Sequence, residues 1–134
     1  MILDKQNLFS DDQALTTSAA STNLIDMGSD DSSVPTPNLK DAELFCMVNV
    51  AFVGGTSVKV SLQTDDNTDF SSAVTLYNTE AVVTASLVAG YKFIMPRLPE
   101  TGVEQYIRLY YTIVGTYTAG KVTAGFVEAL QTGV

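Results

Sequence analysis

Ser57 to Tyr77 reads SVKVSLQTDDNTDFSSAVTLY. Val58, Val60 and Leu62 alternate with Ser57, Lys59, Ser61 and Gln63. A period of two puts the apolar set on one face of a sheet and the polar set on the other. The alternation breaks at Asp65-Asp66-Asn67-Thr68-Asp69. Asp and Asn side chains bond to nearby backbone and tolerate turn dihedrals, so this is a polar turn. Ala73–Tyr77 follows as a second short strand. Strand, polar turn, strand is the pattern that the rest of the chain repeats.

Toward the C-terminus, Ala81–Val88 is strand-like, and Ala89-Gly90 turns into Tyr91–Met95, which stops at Pro96. Pro96, Pro99 and Gly102 mark a loop. Gln105–Val114, QYIRLYYTIV, is the longest strand. Ile107, Leu109, Tyr111 and Ile113 share one face; Tyr106, Arg108, Tyr110 and Thr112 share the other. Gly115–Gly120 turns, and Lys121–Leu130 closes with Val122, Ala124 and Phe126 on one face.

Toward the N-terminus, Gly54-Gly55 is a hairpin signal. Before it, Leu44, Cys46, Val48, Val50 and Phe52 fall on one face of a strand. Phe45 and Met47 make the other face apolar too, which covers both faces in the first half of that strand. Gly28–Pro37, GSDDSSVPTP, reads as a loop. Gln13–Thr17 and Thr22–Met27 read as short strands separated by Ser18-Ala19-Ala20-Ser21. A helix across 13–21 is the alternative, since Ala, Gln and Leu favour helices; its Thr and Ser weaken it and no cap follows. Residues 1–12, MILDKQNLFSDD, are apolar in places but have no period.

Eight or nine short strands with no crossover helix imply an all-β fold with antiparallel sheets. A two-sheet jelly-roll sandwich fits that strand number. The expected organisation is an extended N-terminal arm, 1–12, and one jelly-roll domain, 13–134. At 134 residues with 46% hydrophobic and 16% charged, the chain has enough apolar side chains for one core and too few charges for disorder.

The net charge is −8. Binding to nucleic acid or to an anionic membrane draws on clustered basic residues, so neither is expected. Residues 1–43 carry a net charge of −6 and the remainder −2. Cys46 is the one cysteine and reads as a small buried hydrophobe. Met1-Ile2-Leu3 gives way at once to Asp4, with no apolar run of signal or membrane-span length, which implies synthesis in a reducing cytosol.

Catalytic constellations are scarce. The sequence has no histidine, which removes Ser-His-Asp, Cys-His and His-ligated zinc arrangements. Asp65, Asn67 and Asp69 match the one-three-five spacing of a calcium loop, but Phe70 and Leu76 stand where it needs glycine and glutamate. A looser calcium site on this loop is the alternative to a solvated turn; the expectation is no metal and no cofactor. Glu100 with Glu104, or Glu43 with Glu80, are the carboxylate pairs that a glycosidase reading would need. A jelly roll also suits a carbohydrate-binding module, the alternative to a structural role.

SDDQALTTSAASTNLIDMG (Ser10–Gly28), VSLQTDDNTDFSSAVTLY (Val60–Tyr77) and QYIRLYYTIVGTYTAGKVTAGFV (Gln105–Val127) carry a family resemblance. The chain resembles the capsid cement, or decoration, proteins of tailed bacteriophages, of the type on a Bordetella phage head. The similarity runs over nearly the whole chain in the same order. It implies a jelly roll that binds the outside of the major capsid protein shell and reinforces it without covalent links. It also implies subunits that associate with each other as dimers, on a virion surface, after synthesis in the bacterial cytoplasm. It brings no catalytic residue, so no enzyme activity is expected.

Two candidate interfaces follow. The stripe Tyr106, Arg108 and Tyr110 has the residue types that carry binding energy at protein interfaces. The arm residues Ile2, Leu3, Leu8 and Phe9 either extend the chain's own sheet edge or anchor on a neighbour. A cement protein must grip something, which favours the anchor.

Overall fold

A computed structural model of the chain describes residues 8–26, 43–93 and 104–127. These residues form β1 (Leu8–Ala14), β2 (Ala19–Ala20), β3 (Ile25–Asp26), β4 (Glu43–Val53), β5 (Ser57–Asp65), β6 (Val74–Asn78), β7 (Val82–Val83), β8 (Tyr106–Val114) and β9 (Ala119–Val127). All strand pairs are antiparallel. One sheet has the order β1-β9-β4, and the segment 91–93 joins its β4 edge through the bridge Met47↔Lys92. In the other, β8 and β5 are central; β2 and β3 share the outer edge of β8, and β6 and β7 that of β5.

The first strand pairs with the last and the second with the one before it; β9 also pairs with β4, and β8 with β5. The two antiparallel sheets pack face to face on one core as a jelly-roll sandwich. The expected all-β, antiparallel, two-sheet class is the observed one.

β5 and β8 alternate as their sequences require. Val58, Val60, Leu62, Ile107, Leu109 and Tyr111 are fully buried in the core between the sheets. The core also takes Phe9, Leu15, Cys46, Val48, Phe52, Tyr117 and Phe126. Burial pushes the Cys46 thiol pKa up, so it stays a neutral hydrophobe. Phe45 is buried and Met47 half-buried on the other face of β4, beside Leu8, so both faces of that strand are covered there.

Several sequence expectations are corrected. The arm does not extend to Asp12: β1 begins at Leu8 and pairs with β9 from Leu8↔Gly125 to Ala14↔Lys121. Its irregular pattern has a cause, since the register shifts twice and Asp12 adopts a positive φ of 52°. Residues 13–21 hold no helix, and strand structure there is limited to the end of β1 and the two-residue β2. Ala81–Val88 is not one strand, because β7 gives way to a 3₁₀ turn at Thr84–Ser86. Val50, expected in the core, is 42% exposed, because a bulge between Val48 and Val50 resets the alternation.

Gly54-Gly55 is not a hairpin. β4 and β5 lie in different sheets, so the glycines form an arch between them. β8 and β9 make a second arch beside it. Thr118 N–H donates to the Val53 carbonyl (2.8 Å), and Thr56 N–H donates to the Val114 carbonyl (2.9 Å). The Tyr117 ring lies where a Cβ on residue 55 would stand, and the Phe52 ring does the same at Gly120, whose φ is +146°. Those glycines let the two rings meet edge to face, with centroids 4.9 Å apart.

The expected loops at Gly28–Pro37 and at Pro96, Pro99 and Gly102 lie outside the described residues, as does the end of the last expected strand.

Candidate functional site

The outer face of the β8–β5 pair holds the sequence-predicted stripe. Tyr106, Arg108 and Tyr110 are each half-buried on the face opposite Ile107, Leu109 and Tyr111. In register, Arg108 lies opposite Gln63, Tyr110 opposite Ser61 and Tyr106 opposite Asp65. Arg108 Nε donates to Gln63 Oε1 at 2.9 Å. Its guanidinium sits 4.3 Å from the centroid of the Phe70 ring and 5.8 Å from that of Tyr110. Partial burial lowers the Arg108 pKa, partly offset by Tyr110 and Asp65, and the group remains a cation.

Phe70 arrives from the acidic turn. It holds a positive φ of 52° and is buried. The turn is organised on Asp65, which is itself buried. Asp65 Oδ1 accepts from Asp66 N–H (2.6 Å) and Asn67 N–H (3.3 Å), and Oδ2 accepts from Ser72 N–H (2.9 Å). Desolvation pushes the Asp65 pKa up, but the Ser72 backbone bond, the Asp66 side chain and the other backbone donors outweigh it and hold the pKa below the usual carboxylate range. Asp66 moves the other way, raised first by its side-chain hydrogen bond to Asp65 and then by burial. Asp69 Oδ1 accepts from Ser71 N–H at 3.1 Å. The carboxylates at positions 65 and 69 thus cap backbone in their own turn. Among the described residues, no three His, Cys, Asp or Glu side chains cluster as a metal site would need.

Arg108 is therefore engaged within its own chain by two residues that the sequence did not single out, Gln63 and Phe70. Cross-strand register makes the first contact. The second follows from the turn folding back over the sheet, and a lone aromatic inside a polar turn was its one visible signal.

The arm residues divide. Ile2 and Leu3 lie outside the described residues. Leu8 and Phe9 do not serve as an anchor on a neighbour. Phe9 is fully buried in the chain's own core, its ring centroid 5.6 Å from that of Phe126, and Leu8 packs on Phe45. The physical reason is β1, whose pairing with β9 aims Phe9 inward.

For the carboxylate pairs, Glu80 and Glu104 are exposed, while Glu100 and the Glu43 side chain lie outside the described residues. Among the described residues no aromatic ring is fully exposed, and Tyr106 and Tyr110 are half-buried on the outer face.

A protein-family model, Bbp16, matches residues 9–126. No curated protein matches the chain. The family match runs from the second residue of β1 to the penultimate residue of β9, the full span of the jelly roll. The chain therefore belongs to the Bbp16 family, whose name is that of a Bordetella phage protein.

Proposed function

We propose that the protein is a virion structural protein, a cement protein that binds the outside of the major capsid protein shell of its phage and stabilises the head non-covalently. The observation that carries this reading is the membership of a phage-protein family across the whole jelly roll. The described residues add a consistent picture. Their buried carboxylate at Asp65 serves a turn, their cysteine is a core residue, and their tyrosines pack on sheets. Under this reading the protein is not an enzyme and takes no cofactor. Its partners are the major capsid protein and further copies of itself, and neither nucleic acid nor membrane is bound. It is made in the bacterial cytoplasm and resides on the outer capsid surface.

The test is co-sedimentation with expanded capsids that lack the protein. Saturable, stoichiometric binding is expected. Binding that never saturates, or none, would sink the proposal.

A further inference from the structure

We draw no further inference here: the strongest candidate, the outer face of the β8–β5 pair with its half-buried Tyr106, Arg108 and Tyr110, is a sheet face whose guanidinium is already held by Gln63 and Phe70 of its own chain, and nothing in the structure shows what covers it.

Discussion

The phenolic oxygen of Tyr111 lies 2.7 Å from the Ser10 hydroxyl, between the two sheets, with both side chains fully buried. Ser10 donates its own hydrogen to Gln13 Oε1 at 2.6 Å. The proton of the Tyr111 hydroxyl must then point to Ser10, so the bond has a direction. Burial pushes the Tyr111 pKa up, partly offset by the Ser10 bond, and the phenol remains a neutral donor. Gln13 in turn accepts from Thr22 N–H (3.0 Å) and donates to the Ala20 carbonyl (3.0 Å), which links β1 to the second sheet.

Ser10→Ala orphans a buried hydroxyl and should cost about 1–3 kcal/mol. Tyr111→Phe removes that hydroxyl and should cost about 1 kcal/mol. The double variant should be less destabilised than the two singles added together, because no donor is left orphaned. Urea denaturation of the four proteins checks this; strict additivity would mean that the two hydroxyls do not interact.

Phe9 tests the boundary of the N-terminal arm. Phe9→Ala should destabilise by about 3–5 kcal/mol, a large part of the usual stability of a domain. Deleting residues 1–9 should lower the melting temperature for the same reason. A deletion variant that melts with the full-length chain would put Phe9 outside the core.

Arg108→Glu reverses a cation held over Phe70 and brings a carboxylate toward Asp65. It should cost about 1–2 kcal/mol through the lost cation–π contact and the lost Gln63 bond. Arg108→Gln should cost less, because it adds no negative charge. Both should act in dilute, monomeric protein followed by chemical denaturation. If Arg108→Glu changes only the association state and leaves monomer stability alone, the guanidinium serves the interface instead of the turn.

Asp65 and Asp66 give opposite pH signs. The Asp65 pKa is depressed in the folded state, so its stabilisation is present above the unfolded value of about 3.9 and is lost as pH falls toward the folded value. The Asp66 pKa is raised, so the ionised group opposes folding at neutral pH, and protonation relieves it as pH falls. The two partly cancel. In Asp65→Asn the Asp66 carboxyl should titrate closer to its ordinary value, because the hydrogen bond to an ionised Asp65 and its charge are gone. Carbon-detected NMR titration of the carboxyl groups reads this; an unmoved Asp66 would count against the pairing.

Heads assembled without the protein should rupture at lower temperature or internal pressure than heads that carry it. Under the proposed cement function each bound copy would link several neighbours, and linked contacts gain effective concentration without stronger single bonds. Equal thresholds would argue for surface display alone.

Strands β5 and β8, and the first half of β4, were legible in the sequence because their alternation is local and each has a buried face. Tyr106, Arg108 and Tyr110 were placed on the face opposite the core by the same period. β1 was not legible: its bulges and the positive φ of Asp12 erase the period, and only pairing with β9 shows that Phe9 belongs to the core. Gly54-Gly55 announced a turn, but a turn signal does not say whether the next strand returns to the same sheet or crosses to the other. That choice depends on β8 and β9, more than fifty residues away, arriving to form the second arch. The absence of charge in 13–25, 50–58, 81–91 and 109–120 was present in the sequence as scattered neutral runs. Only the folded jelly roll, through the Tyr117–Thr16, Thr84–Thr56 and Thr118–Val53 backbone bonds, brings parts of all four together.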